Sequence, residues 1–223
     1  FSGGSRVIQE NLLSPSVVLA GSLTVYFFSG VIGLYLVYRA GAGLLWFGVP
    51  GMLLSFFYTA PPLRLGYRGW GETVVGVLLG PLAVMGATFV FSKSINPESF
   101  LLSLTPGLLV TGILFINQFP DRDSDIRAGK RHWVTRLEAE TSVRVYTLLI
   151  SAAFLLPLVF VFLGHLPPGV LLCFLALPLA IRAILILRRH VKHPSELLPA
   201  QALTIKVHLL AGLGMMVGLL WNP

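Results

Sequence analysis

Seven apolar runs, each near the roughly 20 residues that a helix needs to cross a bilayer, recur along this chain of 223 residues. Few features constrain a fold more. In hydrocarbon every backbone N–H and C=O must be paired inside the protein, so runs of this length and spacing become membrane helices. The runs lie at Pro15 to Tyr38, Leu44 to Tyr58, Glu72 to Phe91, Ser99 to Phe119, Val143 to Gly164, Pro168 to Leu187 and Pro199 to Trp221. Composition agrees, because 55% hydrophobic residues, 11% charged residues and a mean hydropathy of +0.83 do not describe a soluble domain. The sequence therefore predicts an all-α, polytopic transmembrane helix bundle, one domain over residues 1–223. Gly76, Gly80 and Pro81 do not argue against helix, since bilayer helices tolerate such residues.

The joints between runs alternate between basic and nearly uncharged. One side collects Arg6, Arg64 and Arg68, then the cations from Arg122 to Arg144, then Arg188, Arg189 and Lys192; the other carries Arg39 and Lys93. The positive-inside rule makes the basic side cytoplasmic, with the amino end inside and the carboxyl end outside. Arg182 and Lys206 fall near cytoplasmic ends of spans, where long side chains snorkel to the interface. The net charge of +7 is spread over membrane loops, which argues against nucleic acid as a partner and suits anionic lipid headgroups. Cys173 is the single cysteine, so neither an intramolecular disulfide nor a cysteine-based metal site is available. His190 and His193 read as interfacial residues of a basic loop.

One polar island stands out. Between Asn117 and Arg131, directly after an apolar run, lie all three Asp residues of the chain together with Arg122, Arg127, Lys130 and Arg131. Asp121 and Asp125 are four apart, so on a helix they share one face and can grip one cation from adjacent turns; Asp123 points away. Asn117 lies four residues further back on that face, although Pro120 disfavours helix at Phe119 and is expected to kink or restart the chain there. Mg²⁺ is bound by one or two carboxylates together with waters and substrate phosphates, a shell that this pair can supply. Lys130 and Arg127 stand within reach of phosphate oxygens. The plainer alternative is a solvated loop that sets topology, its Asp residues balancing its Arg residues.

The segment INQFPDRDSDIRAGKRHWVTRL, Ile116 to Leu137, resembles the second aspartate-rich motif of the UbiA superfamily of intramembrane prenyltransferases. Upstream, YTAPPLRLGYRGWGE, Tyr58 to Glu72, and GVLLGPLAVMGATFV, Gly76 to Val90, resemble the MenA-type branch, whose members prenylate 1,4-dihydroxy-2-naphthoate on the way to menaquinone. The pattern departs at His132-Trp133, where relatives commonly carry a small or polar residue, and at Glu138, where Gly is usual.

The resemblance implies a bundle of nine transmembrane helices, of which the seven spans here would be the third through ninth. The opening FSGGSRVIQENLLSP resembles the loop after the family's first aspartate-rich motif. The chain is therefore expected to be truncated at its amino end, without that motif and inactive alone.

The resemblance further implies an integral enzyme of the inner or plasma membrane with its site facing the cytoplasm. It makes Asp121 and Asp125 the catalytic Mg²⁺ ligands, with Asn117 participating, and assigns Lys130, Arg127, Arg64, Tyr58 and Arg6 to diphosphate binding. The implied partners are a polyprenyl diphosphate, an aromatic acceptor and the lipid bilayer. Phe56, Phe57, Phe115 and Phe119 are candidate cavity walls. Related acceptors are 4-hydroxybenzoate, homogentisate, haem, chlorophyllide and lipid precursors. A transporter is the rival class, but it calls for ionisable groups near the bilayer midplane. No Asp or Glu lies in the middle of any predicted span, and His208 is the deepest candidate.

Overall fold

The computed structural model describes residues 7–221, and among them there are helices and turns but no strand. Among the described residues seven helices are long and apolar enough to cross a membrane. They are α1 (Pro15–Ala40), α2 (Ala42–Thr59), α3 (Gly71–Ser92), α4 (Pro97–Arg127), α5 (Ala139–Phe162), α6 (Pro168–His190) and α7 (Leu198–Trp221). Local signals set their starts. The Ser14 side chain accepts a hydrogen bond from the Val17 N–H at the head of α1, and that of Asn96 accepts from the Glu98 N–H at 2.8 Å at the head of α4. A proline at the first helical position follows each cap, where its missing N–H is not needed.

Two prolines inside the helices act in opposite ways. Around Pro81, α3 opens into a wider turn over Leu78–Leu82, since the ring has no N–H for the regular ladder. Pro120 behaves otherwise than expected: α4 neither kinks to a stop nor restarts at Phe119 but runs on to Arg127. A proline removes only one donor, and its preceding turn is fixed by buried Phe115, Ile116 and Phe119. The charged island thus begins in about the last three turns of a membrane helix and ends in the turn that follows it.

The core lies between α4, α5, α6 and α7, with Phe115, Ile116, Tyr146, Ile150, Val170 and Val207 fully enclosed. Lipid is as apolar as leucine, so close packing and polar contacts, more than hydrophobicity, hold such helices together. Glycine shows this where α6 meets α7: a Cβ on Gly169 would overlap the Gly218 carbonyl, and one on Gly218 the Gly169 carbonyl. The Tyr146 hydroxyl donates to Thr204 Oγ1 at 2.6 Å, which donates in turn to the Ala200 carbonyl at 2.7 Å. Phe115 and Phe119 belong to this core rather than to a cavity wall, because at about 100° per residue they lie on the flank of α4 opposite Asn117.

Candidate functional site

The end of α4 is built by glycine. Gly129 adopts φ +73, a left-handed conformation that closes helices at little cost when no Cβ is present. The Gly129 N–H reaches the Ile126 carbonyl at 3.0 Å, and the Lys130 N–H reaches the Asp125 carbonyl at 2.9 Å. This reversal folds Lys130 back over the helix that carries Asp125. Its Nζ comes to 2.6 Å from Asp125 Oδ1 and stands over the Tyr67 ring, 5.7 Å from the centroid.

Asp125 is buried, and its second oxygen is also taken: His132 Nε2 lies 2.9 Å from Oδ2. Asp121 is one turn earlier on the same face and half-buried, and its carboxylate has no hydrogen-bond or ion-pair partner among the described residues. A further turn back, the buried Oδ1 of Asn117 is likewise unpartnered. Asp123 is exposed beside Arg122, as its position on the helix predicts. Arg127 is exposed in the last turn of α4.

The loop joining α4 to α5 does not stand alone. It docks on the loop that joins α2 to α3, which brings segments about 60 residues apart into register. The Arg131 N–H donates to the Tyr67 carbonyl at 2.8 Å, the Trp133 indole N–H to the Gly69 carbonyl at 2.9 Å, and Arg136 Nη2 to the Arg68 carbonyl at 2.8 Å. Beneath them, Glu72 at the start of α3 is fully buried; its Oε1 accepts from the Trp133 N–H at 2.8 Å and from Gln118 Nε2 at 3.1 Å. Arg64 lies in the same cluster, its guanidinium 5.7 Å from the centroid of the Tyr67 ring. Tyr58 lies below, packed under Gly66 and Gly71. Arg6 lies outside the described residues.

The third basic loop, between α6 and α7, reaches the same end of the bundle. Lys192 Nζ is 3.7 Å from Glu140 at the start of α5, and His190 pairs with Glu196. These contacts place the cation-rich joints on one face of the molecule. His190 is thus engaged within its own loop, in keeping with an interfacial role.

The structure joins Asp125, Lys130, Tyr67 and Arg64 into one cluster and leaves Asp121 and Asn117 one and two turns away on the same helix flank. It adds His132, Trp133, Glu72 and Gln118, which sequence reasoning did not select. For Glu72 a signal existed, since an acidic residue at the head of an apolar run is unusual. For the others there was only the local departure at His132-Trp133.

An apolar cavity of about 400 Å³ lies between α3, α4 and α7, lined by Val84, Leu102, Pro106, His208 and Met215 among others. Its α4 lining runs from Ser99 to Leu109, so the cavity lies toward the end of the bundle opposite Asp125. A helical membrane bundle with a carboxylate and cation cluster at one end and an apolar cavity along the same helix is the class of protein that fold and site define.

Comparison with known proteins narrows the class. The sequence profile of the UbiA prenyltransferase family matches residues 4–222, and the chain belongs to that family. It is 29% identical over 170 residues to a 2-carboxy-1,4-naphthoquinone phytyltransferase of Synechocystis, covering 76% of this chain and 55% of that protein. It is 24% identical over 181 residues to the 1,4-dihydroxy-2-naphthoate octaprenyltransferase of Bacillus subtilis, covering 81% and 58%. The Escherichia coli protein of the same name is 32% identical over 179 residues, covering 79% and 57%. The chain thus spans little more than half the length of these relatives. No solved structure matches it.

Proposed function

We propose that the protein carrying this chain transfers a polyprenyl group from an allylic diphosphate to an aromatic acceptor, 1,4-dihydroxy-2-naphthoate, in menaquinone synthesis. The observation that carries the reading is the Asp125, Lys130 and Arg64 cluster at the basic end of the bundle, in a chain of the UbiA prenyltransferase family. Relatives named as 1,4-dihydroxy-2-naphthoate octaprenyltransferases support the acceptor.

The donor set fits Mg²⁺. Asp121 and Asp125 offer carboxylate oxygens, and the unpartnered Oδ1 of Asn117 adds a third hard donor on the same flank. No group of three or more His, Cys, Asp and Glu able to hold a metal occurs among the described residues, in keeping with a cation whose shell is completed by water and phosphate. Bound there, the cation would neutralise negative charge on the departing diphosphate.

Lys130, Arg127 and Arg64 bind phosphate oxygens in this scheme, with Tyr58 below them. Arg6 would join them from the amino-terminal side. The allylic C–O bond breaks with its electron pair leaving on the diphosphate, the ring carbon that bears the acceptor's carboxylate forms the new C–C bond, and the electron pair of its bond to that carboxylate restores the aromatic ring as carbon dioxide departs. The prenyl chain runs along the apolar interior of the bundle, where exclusion of water protects the allylic cation. The basic loops face the cytoplasm of the inner or plasma membrane. A transporter would leave the carboxylate and cation cluster without a task.

The test is transfer of radiolabelled prenyl diphosphate to 1,4-dihydroxy-2-naphthoate in membranes that contain the full-length protein. Asp121→Asn and Asp125→Asn are each expected to lower the rate by about 100-fold or more, whereas Asp123→Asn leaves it near wild type. Wild-type rates in both of the first two variants would sink the proposal.

A further inference from the structure

Asp125 has two basic neighbours that differ in their freedom to leave it. His132 Nε2 is 2.9 Å from Oδ2 and Lys130 Nζ is 2.6 Å from Oδ1. The His132 side chain is 3% exposed, whereas that of Lys130 is 33% exposed and ends a flexible four-carbon stem. An ionised carboxylate only accepts, so His132 Nε2 carries the proton of that bond.

His132 is also fixed from behind. The backbone N–H groups of its two chain neighbours are both engaged, that of Arg131 by the Tyr67 carbonyl and that of Trp133 by Glu72 Oε1, each at 2.8 Å. Its own carbonyl accepts from Thr135 Oγ1 at 2.8 Å. Glu72, the anchor of Trp133, is fully buried and held in turn by Gln118. The ring's Nδ1 is buried without a partner, so the contact of Nε2 with Asp125 is the one polar bond of the ring among the described residues.

We infer that His132 is a positioning residue that holds the Asp125 carboxylate through Oδ2, and that Lys130 is a displaceable counter-ion on Oδ1 that moves to the diphosphate when a divalent cation takes its place. This rests on the metal and diphosphate reading given above. The two neighbours then act on cation binding with opposite sign. His132 strengthens it by fixing the ligand, and Lys130 competes with it.

The test is Mn²⁺ binding to the full-length protein in detergent, read from the electron paramagnetic resonance signal of free Mn²⁺, with no prenyl diphosphate present. His132→Ala is expected to weaken binding by roughly 10- to 100-fold. His132→Gln, whose amide N–H reaches the same oxygen, recovers most of the affinity. Lys130→Gln binds Mn²⁺ more tightly than wild type, while its KM for prenyl diphosphate rises. His132→Asn, too short to reach Oδ2, replaces the alanine variant should that one fail to fold. Wild-type affinity in the alanine or asparagine variant overturns the inference, as does equal loss in the alanine and glutamine variants at unchanged melting temperature, or weaker binding in Lys130→Gln. Asp125→Asn separates the two levels: if it binds Mn²⁺ normally the metal reading itself fails, and if it alone loses binding only the role of His132 fails.

Discussion

The most apolar 18-residue stretches of α1 and α4 are equally hydropathic, yet the two helices meet the rest of this chain in opposite ways. Of α1 only Ala40 is buried, whereas α4 buries twelve residues, among them Ser99, Ser103, Thr105 and Gln118. Hydropathy measures what a helix does in lipid and says nothing of its neighbours. A matched pair of contacts makes the contrast sharper. In the exposed hairpin of α1 and α2, Tyr26 donates to Ser55 at 2.6 Å and Ser55 donates to the Met52 carbonyl at 3.0 Å. The Tyr146, Thr204 and Ala200 relay has the same chemistry and the same first distance, but is buried between α5 and α7.

The contrast is open to breaking by substitution, with stability read from thermal labelling of buried Cys173 in detergent. The largest effect is expected at the α6 and α7 crossing: Gly218→Val forces the two backbones apart and destabilises by about 3 kcal/mol or more. Gly33→Val on α1, where a Cβ meets nothing within 4 Å, is expected to melt near wild type. Equal losses at the two positions would erase the distinction. Next, Glu72→Ala leaves the Trp133 and Gln118 N–H groups without their acceptor, at about 1–3 kcal/mol. Glu98→Ala, on the exposed first turn of α4, stays within about 0.5 kcal/mol. Smaller still, Tyr146→Phe costs about 1 kcal/mol and Tyr26→Phe about half of that, since membrane hydrogen bonds average near 0.6 kcal/mol. A larger loss at Tyr26 would reverse the ranking of the two regions.

The spans were legible because each is a local property of about 20 residues. The run of α4 past Phe119 was not, because Pro120 carries a local signal to stop that buried neighbours on the preceding turn override. Asp121 and Asp125 were legible by their spacing on one helix face. The loop contacts were not, since the meaning of His132, Trp133 and Glu72 arises where two loops meet across 61 residues of chain. Lys130 was recognised as a cation beside the aspartates, but its ion pair with Asp125 depends on the reversal at Gly129, which only three-dimensional structure displays.

The docking of the two loops also bears on how the chain is threaded into its membrane. Glu72 and Trp133 can meet only if the number of crossings between them is even, so that the chain leaves the leaflet along α3 and returns along α4. A nascent chain that failed to insert α3 would deliver Asp125 to the opposite leaflet from Glu72, with both aspartates present and no clamp to receive them. The contact between Trp133 and Glu72 is thus a parity check on insertion, read out at the place where the chemistry is proposed to occur.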